Sequence, residues 1–250
     1  MSVAADLTAG LVDARRGAAL AWGTPAVRRL YLQLAAVLLS LSTALDVAGI
    51  WAVVAWTRGD GSEGFWAVLL LMLLRLAGIG IVLLVAPIVA MFLIQINVPL
   101  LGERVFLAGL RVLAPARADA LAAAPGLPLS TTIANVVIRL LTFVGVTLLL
   151  LLLAWVPVVG AVLAPLLQAW RSAVALSWEL LDPYFDRLGL QRAGQLALLR
   201  RHQVRLLGFA LPFVFVMAIP IVGPLVFGLA QAAVAVVVVE AIEAPGSAAS

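Results

Sequence analysis

The chain has 250 residues, 65% of them hydrophobic and only 11% charged. A water-soluble domain carries about a quarter charged residues, so this chain cannot cover an aqueous surface, and an all-α integral membrane protein is expected. Arginine supplies all 16 basic residues and cysteine is absent, which excludes disulfides, thiolate metal sites and a cysteine nucleophile. The net charge of +4 does not argue for nucleic acid, because the arginines sit at the margins of apolar segments, where a membrane explains them.

Residues 1–14 hold two acids and no base, so the start does not read as a signal peptide. Residues 4–23 read as an amphipathic helix lying in the membrane interface, with Leu7, Leu11, Ala14, Ala18 and Ala21 on one side. Residues 1–29 are taken as this helix and the entry to the next. Residues 30–245 then form one polytopic membrane domain, and 246–250 a tail. Thr24 and Pro25 suit the cap and first turn of a spanning helix over 30–56. After the loop "TRGDGSEG" a second span over 65–97 exceeds a bilayer core and should tilt, or kink at Pro87. The stretch "NVPLLGERVFLAGLRV" at 97–112 then leads out into a polar loop, which "APARADALAAAPGLPLSTT" at 114–132 ends.

Two apolar bends follow, "VPVVGAVLAPLLQ" at 156–168 and "IPIVGPLVFGLAQ" at 219–231. The first, with Pro157 and Gly160, joins arms at 133–156 and 161–181. The second, with Pro220 and Gly223, joins arms at 206–219 and 225–240. A bend displayed in water normally carries polar residues. These carry no charge, so either their tips stop inside the bilayer or the protein, or the hairpins span and turn tightly on exit. The short arm at 206–219, interrupted by Pro212, favours partial insertion of the second hairpin. Between the hairpins, 190–207 reads as a basic amphipathic helix. Arginine counts place both termini and both polar blocks in the cytoplasm.

Asp46 and Arg75 are equally far from the loop centre between Asp60 and Gly61. Antiparallel helices would bring them level, and an intramembrane charge is expected to be paired. The pair is either a gate or ion relay, or a salt bridge that locks the hairpin. At the start of the first span, open backbone N–H groups, the helix dipole and the guanidinium groups of Arg28 and Arg29 could hold an oxyanion. The alternative is that both arginines snorkel to lipid headgroups. Asp182 and Asp186 flank Tyr184 and read as polar residues capping a helix turn. His202 reads as an interfacial side chain. No phosphate loop, metal-ligand cluster or nucleophile elbow is present, so neither an enzyme nor a cofactor is expected.

The block from "WELLDPYFDRLGLQRAGQLALLRRHQ" to "IPIVGPLVFGLAQAA" resembles the end of the CysZ-type sulfate permease family, which shares its domain with the etoposide-induced membrane proteins of eukaryotes. "VPVVGAVLAPLL", "INVPLLGERV" with Glu103 at the acidic position, and "GTPAVRRLYL" resemble further family segments, so the resemblance covers about residues 11–240. The acidic aromatic element is permuted here to Asp182-Pro183-Tyr184-Phe185-Asp186, and Asp46 and Arg75 match no family feature. The resemblance implies spanning helices plus partly inserted, re-entrant helix hairpins. It also implies oxyanion contacts at Gly23, Thr24, Arg28 and Arg29, and a permease or channel for sulfate or a similar oxyanion in the bacterial inner membrane. The competing expectation is a non-transporting membrane scaffold for partner proteins or lipids. Expected partners are the bilayer and a small oxyanion, with homo-oligomerisation left open.

Overall fold

The computed structural model describes residues 2–58, 64–97, 99–154, 159–217, 219 and 222–244. These residues are helical almost throughout, and no strand occurs among them. In order they form α1 (Val3–Gly23), α2 (Pro25–Trp56), α3 (Phe65–Asn97), α4 (Pro99–Leu113), α5 (Pro115–Ala123), α6 (Leu129–Ala154), α7 (Val159–Arg187), α8 (Arg192–Arg201), α9 (Gln203–Met217) and α10 (Val222–Val237). A single π-helical turn, Val238–Ile242, follows α10 directly. Pro157 and Pro220 lie outside the described residues.

A helix apolar on every side is stable only when it is covered on every side. Helix α10 is of this kind: Ala230 and the run Ala232–Ala235 are inaccessible, with α1, α2, α4, α7 and α9 packed around it. Four described stretches are long and apolar enough to cross a bilayer: Pro25–Trp56, Phe65–Leu83, Ser130–Leu150 and Leu225–Ile242. The last is mostly buried in the protein. The other three turn their apolar side chains outward, among them Trp51, Trp56, Trp66 and Leu141. Such a surface would be costly in water and is favoured in lipid. The protein is an all-helical membrane protein.

Helix α1 begins with the Ser2 hydroxyl accepting from the Ala5 amide at 3.3 Å. Its buried stripe is Gly10, Asp13, Ala14, Gly17 and Ala21, packed on α9 and α10, while Leu7 and Leu11 stay accessible. The inward side is therefore rotated from the apolar side read in the sequence, because small residues let backbones approach. A Cβ at Gly10 would stand 2.0 Å from the Arg205 carbonyl oxygen, and one at Gly208 2.2 Å from that of Leu7. Only glycine fits at this crossing.

The stretch expected to lead out into a polar loop, and the start of that loop, form two helices, α4 and α5, separated at Ala114. Val105, Phe106 and Leu110 lie on one side of α4 and are buried, and α4 packs on α10. The basic helix expected over 190–207 is two helices. It breaks at His202, whose N–H is shared between the carbonyls of Leu198 and Arg200. Helix α3 runs unbroken through Pro87.

The helices α2 and α3 pack as a pair, but not in the register expected. Gly49 faces Val82 and Gly78 faces Val53. Asp46 is thus level with about residue 85 and Arg75 with about residue 56, which separates them by roughly 15 Å along the helices. Arg75 donates instead to Thr57, from Nε to the hydroxyl at 3.0 Å and from Nη2 to the carbonyl at 2.8 Å. The expected Asp46–Arg75 ion pair does not form, and Oδ1 of Asp46 is buried without a hydrogen-bond partner. The two charges are not level because α3 begins well beyond the end of α2, with its first residues, Phe65 and Trp66, largely exposed.

Candidate functional site

Thr24 is at once the last cap of α1 and the first of α2. Its N–H donates to the Leu20 carbonyl at 3.0 Å and its own carbonyl accepts from the Arg28 amide at 2.8 Å. The Thr24 hydroxyl makes no capping bond, and Pro25 has no N–H to offer. The open amides at the start of α2 are therefore those of Ala26 and Val27. Arg28 and Arg29 are both exposed and line a shallow groove with Pro25, Leu32, Gln33 and Ala36. Gly23 and Thr24 sit at the joint but do not line this groove, and Gly23 has open space where a side chain would stand. Of the four residues expected to hold an oxyanion, the structure brings together the two arginines. Tyr31, one turn on, is buried with its hydroxyl unpartnered, and the sequence reading missed it.

A second polar arrangement runs along the α6–α7 interface. Thr132 donates to Asp186 at 3.0 Å, Arg139 to Asp182 at 2.6 Å, and the Gln168 amide to the Thr147 hydroxyl at 3.4 Å. These rungs recur at about every second turn of α6, so they share one face. Asp182 and Asp186 are thus not caps of a turn. They lie within α7, which continues through Pro165 and Pro183 to Arg187. Burial holds the Asp186 carboxyl above its usual range, opposed by the Thr132 hydroxyl bond. Glu179, on the same stretch of α7, is buried beside Arg139.

The remaining charges tie the polar ends of the helices together. Glu103 of α4 receives Nε and Nη2 of Arg187, whose Nη1 reaches the Ala124 carbonyl at 2.6 Å. Glu243 takes Arg117 through both oxygens and the Tyr184 hydroxyl at 2.8 Å. Burial and this bond to the Glu243 carboxylate keep the Tyr184 phenol protonated well above its usual range. Asp13, 2% exposed, receives Arg205 at 2.6 Å, and Arg205 also reaches the Glu240 carbonyl at 3.1 Å. Arg16 completes the cluster on Glu240. Burial, with Arg201 and Arg205 close by, holds the His202 imidazole below its usual range, so it is neutral near pH 7. Of these groups Glu103, Tyr184 and His202 drew comment in the sequence. Asp13 carried a legible signal, since it stands between Gly10 and Gly17 on a close-packing stripe.

The family model described as "Sulfate transporter CysZ/Etoposide-induced protein 2.4" matches residues 13–227. The chain belongs to this family. The match takes in the α1–α2 joint, the Glu103 segment, both faces of the α6–α7 interface and the start of α10. A transporter-like role follows in general terms, and the family is not one of enzymes. No curated protein matches the chain.

Proposed function

We propose that this protein is a permease or channel for sulfate or a similar small oxyanion in the bacterial inner membrane, with Arg28 and Arg29 at its mouth. The observation that carries this reading is the state of those two arginines. Arg16, Arg111, Arg117, Arg139, Arg187 and Arg205 each hold a carboxylate. Arg28 and Arg29 hold none among the described residues, and they face an open groove where α2 begins. Two free guanidinium groups beside open amides and a helix dipole favour a compact anion. The ion would exchange hydration for N–H donors as it passes between helices, and no chemical step is needed.

The arginine-rich ends of α1, α4, α5 and α8 are assigned to the cytoplasm, together with both termini. Helix α9 is short for a span: its 15 residues reach about 22 Å against a bilayer core of about 30 Å. This favours a second hairpin that enters the bilayer without crossing it. The test is reconstitution. Liposomes holding the purified protein should take up labelled sulfate, and replacing Arg28 and Arg29 together by alanine should cut the initial rate at least tenfold. Uptake no faster than in empty liposomes would overturn the permease in favour of a scaffold.

A further inference from the structure

Arg139 is the most buried arginine of the polar interface between α6 and α7, at 8% exposure. Only its Nη1 is used, on Asp182. Its Nε and Nη2 are buried and have no hydrogen-bond partner. These two nitrogens form one edge of the guanidinium plane and present parallel N–H groups, the fork that matches two oxygens of an oxyanion. Glu179, 6% exposed, is the nearby buried acid, and its Oε1 is also unpartnered. A buried guanidinium and a buried carboxyl that lie close without bonding are costly, unless something bridges them.

The surroundings hold this arrangement in place. The Trp178 ring lies 5.9 Å from the Arg139 guanidinium and 5.4 Å from that of Arg192. Its indole N–H is fixed by Gln195 at 2.8 Å, and Gln195 is held in turn by the Leu190 carbonyl at 2.9 Å. We propose that the free edge of Arg139, closed by Glu179, is an internal oxyanion subsite distinct from the Arg28–Arg29 groove. The charged groups facing Glu179 are Arg139 from α6 and Asp182 from α7, with Arg192 of α8 on the Trp178 ring. Asp182 already balances Arg139, so an added anion is favoured only when Glu179 carries a proton and donates to it. Anion and proton therefore occupy the site together.

This deepens the transport reading but is tested by binding, which does not require transport. The full chain carrying Arg28→Ala and Arg29→Ala, purified in detergent, is titrated with labelled sulfate. About one sulfate per chain should still bind, more weakly at pH 8 than at pH 5.5. Adding Glu179→Gln should remove that pH dependence. Adding Arg139→Lys, which keeps the charge for Asp182 but not the fork, should weaken binding at least tenfold. Arg139→Gln should abolish it, and Arg139→Lys serves if the glutamine variant does not fold. No sulfate bound in the groove variant at either pH, or binding indifferent to Arg139→Lys, overturns the subsite and leaves only bridging water. Binding as expected with no liposome uptake overturns the permease and keeps the subsite.

Discussion

Arg75 shows how a single side chain settles a register. Its guanidinium caps the carboxyl end of α2 through the Thr57 hydroxyl and carbonyl, where the helix dipole favours a cation. Thr57 is itself buried, with its hydroxyl donating to the Val53 carbonyl at 2.7 Å. Removing Arg75 leaves this end of α2 without its cationic cap. Asp46 is different, since its buried Oδ1 meets no donor. Arg75→Ala should therefore destabilise the protein by about 1–2 kcal/mol. Asp46→Asn should be neutral or stabilising. In the double variant the two effects should add to within about 0.5 kcal/mol. Thermal melts of the four proteins in one detergent check this. Matched losses with strong coupling would restore the ion pair that the observed register denies.

At the scale of elements, close backbone contact outweighs amphipathicity. The 3.6-residue pattern of α1 read as an interfacial helix with its leucines on the membrane side, yet the helix packs on α9 and α10 through its glycines and Asp13. Periodicity measures polarity and is blind to how near two backbones can come. The same blindness hid α4 and α5 in the approach to a polar loop, where charged Glu103, Arg104 and Arg111 obscured the buried side of α4. It also placed the boundary between α8 and α9 near 206 instead of at His202, since a single-residue break leaves no mark in composition. What periodicity did show were the long apolar helices and both hairpins, because their lipid-facing or core-facing sides are apolar throughout. The paired arginines at the start of α2 were equally legible, as charges flanking an apolar run. The α6–α7 rungs were not, because each joins residues more than twenty positions apart. The Gly10–Gly208 crossing gives a sharp test. Gly208→Val would drive a side chain into the Leu7 carbonyl, with no flexible atom to yield. The expected loss is about 3 kcal/mol or more, read as a lower melting temperature or failure to extract a monodisperse protein. Gly23→Val, in open space, should melt within a degree or two of the parent. Equal behaviour of the two variants would mean that α1 does not pack on α9.

For the whole molecule, the question is how this bundle sits in its bilayer. Helix α10 is covered by protein, and the apolar sides of α2, α3 and α6 form the outer surface. Asp13 and Arg16 of α1 meet Arg205 and Glu240, so the two ends of the chain gather at one end of the bundle. On the orientation proposed above, this arginine-rich end would lie in the cytoplasm and both Pro–Gly bends would be out of reach of bulk water. Gly223 helps to make the second bend tight, since a Cβ there would stand 2.8 Å from the Met217 carbonyl oxygen. The absence of native cysteine makes the test direct, because each introduced thiol reports on one position. Cysteines replacing Val159 and Val222 should react slowly, from either side, with a charged thiol reagent that cannot enter lipid. A cysteine replacing Arg58, just after the end of α2, should react fast from the periplasmic side. One replacing Arg200 on exposed α8 should react only once the reagent reaches the cytoplasm. Fast labelling at 159 and 222 from the periplasm would mean that both hairpins emerge into water. The short α9 would then need a locally thinned bilayer, and the case for interrupted helices as an anion path would lose its geometry.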